Sequence, residues 1–154
     1  MITKEQVIKA QNQWANTVIE IGAVKDDNAC KKLAMDFIDN LYFFQIGPVL
    51  FKPTMASSQQ FRNTKEMALS YFIGGEDAVC NEDAGFAKKP WIDIKFENHN
   101  IISDNNGAIA MGNYYFKSNH SNIIKVEYTF GYKLVNGKLK INLHHSSLPY
   151  NSDS

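Results

Sequence analysis

Four adjacent side chains near the end of the chain can hydrogen-bond or carry a proton: His144, His145, Ser146 and Ser147. They belong to the segment KLKINLHHSSLPY, in which apolar and polar residues alternate as they do in a β-strand. An imidazole exchanges protons near neutral pH, and a hydroxyl both donates and accepts hydrogen bonds. The segment therefore predicts a polar site at the end of a strand.

Strand geometry limits which of these side chains can face the interior. Successive side chains point to opposite faces, so His145 and Ser147 share a face with the apolar Ile141. This parity favours His145 and Ser147 as the inward pair. A β-bulge near the strand end would exchange the faces and bring His144 and Ser146 inward, so both pairs remain candidates.

Other polar side chains stand within apolar segments upstream. Thr54 ends FKPT, and Tyr71 lies in LSYF. A tyrosine on the core side of a helix can reach a cavity with its hydroxyl, and the alternative is a core tyrosine bonded to a carbonyl. Glu82 and Asp83 are consecutive in the sequence. They would serve as acid or base if buried, whereas adjacent acids in loops more often act as caps.

The sequence predicts neither a metal nor another cofactor. The remaining histidines, His99 and His120, lie in the loop-like segments ENHN and SNHS, and no third strong ligand accompanies the pair at the strand end. Cys30 and Cys80 lack a metal-binding spacing and are expected to be two buried thiols, with a disulfide as the less favoured alternative. No glycine-rich phosphate loop or nucleophile elbow is present in the sequence.

Composition bounds the size of the fold and the class of partner. With 154 residues, 44% of them hydrophobic, one domain over residues 1–150 with a flexible tail at 151–154 is expected. Lys plus Arg and Asp plus Glu number 16 each, so we expect no nucleic-acid partner and look for a small molecule or a protein. No stretch is apolar enough for a membrane helix. The expected location is the cytoplasm, or the periplasm if a signal peptide was removed.

Helical periodicity fills the first half of the chain. A capping box at Thr3 and Gln6 precedes an apolar stripe that Gly22 is expected to end. A second helix is predicted to start after Asp27 or Asn28 and to end before residue 46. A third, short helix runs from a cap at Thr64 to a glycine pair at 74–75.

From residue 91 the period changes to two. Four strands are predicted, with turns at NNG (105–107) and NGK (136–138). VLFKPT (49–54) contains a proline and fits an edge segment or a loop. Helices followed by a strand meander predict an α+β domain whose N-terminal helices pack on one face of a curved antiparallel sheet.

From about residue 30 to residue 150, the chain resembles the iota-class carbonic anhydrases of bacteria and algae, which are related to the association domain of calcium/calmodulin-dependent protein kinase II. The segments that carry the resemblance are FKPT, QFR, SYFIGG, CNEDAGFA, PW, MGNYYF, VEYTFGYK and, most specifically, HHSSLPY. The resemblance implies the cone-shaped α+β fold of nuclear transport factor 2 and the SnoaL-like cyclases. It also implies a homodimer, with a pocket between helices and sheet.

The resemblance further implies a reaction, the reversible hydration of carbon dioxide to bicarbonate. The family's pocket implies Thr54 from KPT, Tyr71 from SYF, and one histidine and one serine from HHSS. Thr54, Tyr71 and the serine, Ser147 by parity, would hold water and substrate, and the histidine would accept or relay the proton. Family members differ in metal dependence, and the sequence favours none. The rival prediction is a non-catalytic oligomerisation or ligand-binding module of the same fold.

Overall fold

Three α-helices precede most of the sheet in the computed structural model, which describes residues 1–153. The helices are α1 (Lys4–Ala23), α2 (Asp27–Leu41) and α3 (Lys65–Ile73), and a 3-10 turn covers Phe86–Lys88. The strands are β1 (Leu50–Lys52), β2 (Trp91–Ser103), β3 (Gly107–Ser118), β4 (Ile123–Val135) and β5 (Lys138–Ser147). Ser154, in the tail predicted to be flexible, lies outside the described residues.

The helix starts follow the capping residues in the sequence. The capping box of Thr3 and Gln6 is present, and Thr64 caps α3, both as predicted. The prediction that α2 starts after Asp27 or Asn28 is wrong, because Asp26 caps the helix, which begins at Asp27. Gly74, at φ +54°, ends α3 as predicted. The prediction that Gly22 ends α1 is wrong, because the helix continues to Ala23. A Cβ at position 22 would lie 2.4 Å from the Ala87 carbonyl oxygen, so the glycine serves close packing instead.

Five strands form one sheet in the order β1-β5-β4-β3-β2. β1 pairs parallel with β5, and the other pairs are antiparallel. The prediction that VLFKPT forms an edge segment is confirmed. The NGK hairpin is confirmed too, with Asn136 and Gly137 at φ +50° and +80°, the left-handed backbone that a two-residue type I′ turn requires.

The helices and the inner face of the sheet enclose a core rich in aromatic rings. Trp14 of α1 lies near its centre, 5.8 Å from Phe130 and 6.3 Å from Phe72 between ring centroids. The α+β prediction, with helices on one face of a largely antiparallel sheet, is confirmed. Cys30 and Cys80 are buried free thiols, as predicted. Within residues 1–153, no helix is both long and apolar enough to cross a membrane.

A β-bulge in β5 overturns the parity argument for His145 and Ser147. Gly131 of β4 pairs with Leu143, but the next residue, Tyr132, pairs with Ile141, so one residue of β5 is left over. The bulge reverses the side-chain alternation beyond it. Ile141 and His144 consequently both face the core at 2% exposure, although their positions differ by three, which in a regular strand would place them on opposite faces.

His99 also differs from its prediction. It lies within β2, not in a loop, and its side chain is exposed. His120 lies in the turn between β3 and β4, as expected, and is exposed as well. Both imidazoles are therefore on the surface, while His144 is buried inside the fold.

Candidate active site

The bulged end of β5 places one histidine and one serine inside the fold. His144 is 2% exposed and Ser146 is 1% exposed. His145 is exposed on the opposite face, and the Ser147 hydroxyl lies 3.2 Å from the Glu127 carboxylate on that same outer face. The inward pair is therefore His144 and Ser146, the alternative that the sequence left open.

Strand β1 brings Thr54 to this pair. Because β1 lies beside β5, with Phe51 opposite His144, the chain leaves the sheet at Pro53 next to the inward side chains of β5. The Oγ1 atom of Thr54 lies 2.5 Å from the Oγ atom of Ser146. Thr54 is half-buried, so it connects the buried hydroxyls with the protein surface.

Tyr114 of β3 completes the cluster, and sequence reasoning did not select it. Its hydroxyl lies 2.6 Å from Ser146 Oγ and 3.2 Å from His144 Nε2. Tyr114 shares the parity of the core residues Ala110 and Phe116, so alternation alone places it inward. That signal does not distinguish a site tyrosine from one that only fills the core.

Tyr71 reaches the same region from α3. Its ring is 4% exposed, and its hydroxyl accepts a hydrogen bond from the Met55 backbone N–H at 3.2 Å. The prediction that Tyr71 points its hydroxyl toward a polar interior site agrees with this position.

A narrow gap lies between these groups. It contains about 170 Å³ of unfilled space, and no part of it is wide enough for a water molecule in this conformation. Its walls combine apolar and polar side chains: Trp14, Pro53, Thr54, Tyr71, Phe72, Phe86, Tyr114 and His144. The chemical character of these walls suits a small, mostly apolar molecule that meets a few hydroxyl groups, once the gap widens.

Every ionisable member of the cluster is uncharged near neutral pH. Burial, and secondarily the neighbouring His145, lowers the pKa of His144 well below 6.5, so the imidazole is neutral. Burial raises the pKa values of Tyr71 and Tyr114, so both keep their protons. The cluster therefore offers neutral hydrogen-bond groups and no fixed charge.

The loop that carries Thr54 is held by the acidic pair. Glu82 accepts hydrogen bonds from the backbone N–H groups of residues 57–59, at 2.7 to 3.2 Å, and these bonds lower its pKa to about 2. Asp83 is buried against Arg62, with two contacts of 2.7 Å. Glu82 thus caps the backbone of residues 57–59, the role that is more common for adjacent acids in loops. Asp83 forms an ion pair with Arg62.

The donor set offers no metal site. Within residues 1–153, no group of three or more His, Cys, Asp or Glu side chains is arranged to hold an ion. The ring nitrogens of His144 both lie within hydrogen-bond distance of tyrosine hydroxyls, those of Tyr42 and Tyr114. The residues around His144 are instead suited to stabilising negative charge on a small ligand through O–H groups.

Comparison with known proteins identifies relatives over most of the chain. A family model described as metal-independent carbonic anhydrase matches residues 5–148. The metal-independent carbonic anhydrase of Nostoc sp. (strain PCC 7120 / SAG 25.82 / UTEX 2576) is 40% identical over 154 residues, which cover 97% of this chain and 75% of the relative.

Two solved structures resemble the fold. The crystal structure of the iota-carbonic anhydrase from a cyanobacterium, complexed with bicarbonate, is similar with a TM-score of 0.92 and 38% identity, over 98% of this chain and 94% of that one. An NTF-2 like protein of unknown function from Shewanella oneidensis MR-1 shares the fold, with a TM-score of 0.59 and 12% identity over 95% of this chain and 99% of that one. The predicted nuclear transport factor 2-like fold is therefore confirmed.

Proposed function

Because the chain belongs to the metal-independent carbonic anhydrase family, it catalyses the reversible hydration of carbon dioxide to bicarbonate, and we propose that the cluster around Ser146 performs this reaction. The cluster consists of Thr54, Tyr71, Tyr114, His144 and Ser146. The observation that carries the proposal is the convergence of neutral hydroxyls on one buried oxygen, Ser146 Oγ, which lies 2.5 Å from Thr54 and 2.6 Å from Tyr114.

The reaction requires stabilisation of oxygen charge. Water oxygen bonds to the carbon of carbon dioxide, an electron pair of one C=O bond moves onto oxygen, and a proton leaves the attacking water. O–H groups aimed at that oxygen stabilise the developing charge in a dry site, which is worth far more than the same contact in water. Thr54 and Tyr71 are the proposed substrate-binding donors because both line the gap.

Substrate entry depends on Thr54. In this conformation the gap holds no water-sized space, and most of its wall residues are buried. Thr54 is the half-buried exception among the five cluster residues. We therefore expect carbon dioxide to enter, and the released proton to leave, past Thr54 after a small displacement of this side chain.

The sharpest test compares alanine variants of two adjacent serines. Ser146→Ala removes the central hydroxyl of the cluster, whereas Ser147→Ala removes a hydroxyl that contacts Glu127 on the outer face. We expect Ser146→Ala to lower carbon dioxide hydration by roughly 100-fold to 1000-fold, as does loss of one donor in an oxyanion hole, and Ser147→Ala to change it little. Stopped-flow hydration assays on chelator-treated protein measure both.

The outcome separates the catalytic proposal from its rivals. Equal activity of Ser146→Ala and the unmodified protein would contradict the role of the cluster. Activity that disappears on chelation and returns with added metal would contradict the metal-free mechanism. The membership in an enzyme family argues against the predicted alternative, a non-catalytic oligomerisation or ligand-binding module.

We also propose that the chain forms a homodimer through the outer face of the sheet. Cross-strand neighbours form an apolar stripe over all five strands, in the order Ile102, Ile109, Gly131, Leu143 and Leu50. Ile102 and Leu50, at its two ends, are 63% and 70% exposed. An exposed apolar stripe of this kind is suited to an identical stripe of a second copy.

Sedimentation equilibrium tests the dimer. The expected result is a mass of two chains, which Ile109→Glu, within the stripe, reduces toward one chain because a carboxylate would be buried in the interface. A monomer at all concentrations, or a dimer unaffected by Ile109→Glu, would contradict this interface.

A further inference from the structure

The hydrogen bonds of His144 continue beyond the active-site cluster into α1. The Tyr42 hydroxyl lies 2.8 Å from His144 Nδ1, on the side of the ring that faces away from Tyr114. The indole N–H of Trp14 donates to the same Tyr42 hydroxyl at 3.0 Å. Tyr42 is 0% exposed and Trp14 is 1% exposed, so water does not compete for these bonds.

The chemistry of these groups determines where each proton lies. An indole nitrogen only donates, so the Tyr42 oxygen must accept from Trp14. Tyr42 has one proton of its own, and its remaining hydrogen-bond partner among the described residues is His144 Nδ1. A Tyr42 hydroxyl that did not donate there would bury an unsatisfied donor, at a cost of about 1 to 3 kcal/mol. Nδ1 therefore accepts.

The tautomer of His144 follows from this. A neutral imidazole carries one proton, and because Nδ1 accepts, that proton lies on Nε2. The Nε2–H group donates to the Tyr114 hydroxyl at 3.2 Å, and Tyr114 then donates to Ser146 at 2.6 Å. Ser146 has its closest acceptor in Thr54, at 2.5 Å, against 3.3 Å for the Glu127 carbonyl.

We propose that Trp14 and Tyr42 are positioning residues that hold His144 in its Nε2–H tautomer, so that the imidazole donates into the hydroxyl cluster. The donors then run in one direction, from Trp14 through Tyr42, His144, Tyr114 and Ser146 to Thr54. The last hydroxyl presents its own O–H at the gap. This direction makes His144 a hydrogen-bond donor in the resting enzyme, where the sequence suggested a proton acceptor.

The proposal deepens the proposed function, since the outward O–H groups are those that would stabilise bicarbonate. The tautomer itself does not depend on what the site binds. A measurement of the tautomer and a measurement of activity therefore test separate statements.

Nitrogen NMR of the full chain labelled with ¹⁵N-histidine tests the tautomer directly. The exposed histidines are assigned with His99→Gln, His120→Gln and His145→Gln, which leaves the signals of His144. The expected spectrum at neutral pH has a protonated Nε2 and an unprotonated Nδ1. A protonated Nδ1 in the unmodified protein would overturn the proposal, and this result requires no variant of the core.

Tyr42→Phe tests the positioning role. Loss of this hydroxyl removes the proton donor to Nδ1, so we expect the Nδ1–H tautomer to become populated and kcat to fall by roughly 10-fold to 100-fold, the usual loss when an orienting partner is removed. Trp14 lines the gap itself, so Tyr42 is the cleaner position to change.

Tyr132→Phe is the matched control. Tyr132 is also a buried tyrosine, at 3% exposure, and its hydroxyl has no hydrogen-bond partner within residues 1–153. Its variant should keep both the tautomer and kcat. The positioning role is overturned if Tyr132→Phe loses as much activity as Tyr42→Phe, or if Tyr42→Phe keeps tautomer and kcat. If His144 has the expected tautomer but the Ser146→Ala protein is fully active, the proposed role of the cluster is refuted and the tautomer proposal stands.

Discussion

Two buried polar networks meet at the loop of residues 53–62. They differ in charge and in whether hydrogen-bonding groups remain available for a ligand. The first is the neutral cluster around Ser146, which contacts the loop through Thr54. The second joins Arg62, at the far end of the loop, to Asp83, with both side chains 0% exposed. One network contains hydroxyls and an imidazole, and the other contains full charges.

This difference in charge distinguishes the proposed ligand site from an ion pair that stabilises the loop. Arg62 donates to the carbonyls of Gln59 and Met67 as well as to Asp83, and Asp83 also accepts from Ser70. Within residues 1–153, each guanidinium nitrogen of Arg62 and each carboxylate oxygen of Asp83 already has a hydrogen-bond partner. Such partners offset the cost of burying two charges where the dielectric constant is low. In the neutral cluster, by contrast, a missing partner costs far less, so Tyr71 and Thr54 can hold O–H groups ready for substrate.

The largest expected effect comes from breaking the charged network. Arg62→Met leaves the Asp83 carboxylate buried without its counter-charge, which should lower the free energy of unfolding by about 3 to 5 kcal/mol. Urea denaturation measures this change. Because a domain of this size has roughly 5 to 15 kcal/mol in total, the variant approaches the limit of folding.

Lys32→Met is the control for the ion pair. Lys32 and Asp36 also form a salt bridge, at 3.1 Å, but both side chains are more than half exposed. Loss of an exposed i,i+4 pair should cost only about 0.3 to 0.5 kcal/mol. Similar losses for Lys32→Met and Arg62→Met would contradict the view that the charged network fastens the loop.

Breaking the neutral network should affect activity more than stability. Tyr71→Phe keeps the ring in the core and removes a hydroxyl that we propose contacts the substrate, so we expect carbon dioxide hydration to fall by roughly 10-fold to 1000-fold in a folded protein. Stopped-flow kinetics and far-UV circular dichroism measure the two properties. Tyr115→Phe is the control, since the Tyr115 hydroxyl contacts Glu97 on the outer side of the sheet. Unchanged activity in Tyr71→Phe would remove Tyr71 from the mechanism.

The smallest effect is a pH dependence of stability that comes from His144. Its pKa is well below 6.5 in the folded state because of burial, whereas the unfolded chain takes up a proton near 6.5. Below that pH the unfolded state binds more protons, so this stabilising contribution is lost as the pH falls. The loss grows as the pH falls below 6.5, by at most about 1.4 kcal/mol for each pH unit.

Histidine variants isolate this contribution from that of the carboxylates. Unfolding curves at pH 7 and pH 5 should show a smaller acid loss for His144→Gln than for His145→Gln, which keeps the buried imidazole. An equal acid loss in both variants would show that His144 is protonated in the folded protein as readily as in the unfolded chain.

Local patterns determined much of this protein. The caps at Thr3 and Thr64 and the hairpin at 136–138 were predictable because their hydrogen bonds join residues only a few positions apart. Thr54 and Tyr71 were suggested by the family resemblance; both lie beside the gap, and their role in the reaction stays a prediction. Alternation also placed Tyr114 inward, but it gave no sign that this tyrosine differs from a packing residue such as Tyr132.

Only the tertiary structure decided which face of β5 carries the site. A period of two describes one strand in isolation, whereas the extra residue between Ile141 and Leu143 exists only relative to the neighbouring β4. The partners of His144 likewise come from distant parts of the chain, Tyr42 lying 102 positions away and Tyr114 30 positions away. The residue types came from the sequence, but the direction of their hydrogen bonds was set by packing, because a proton's location depends on every group around it.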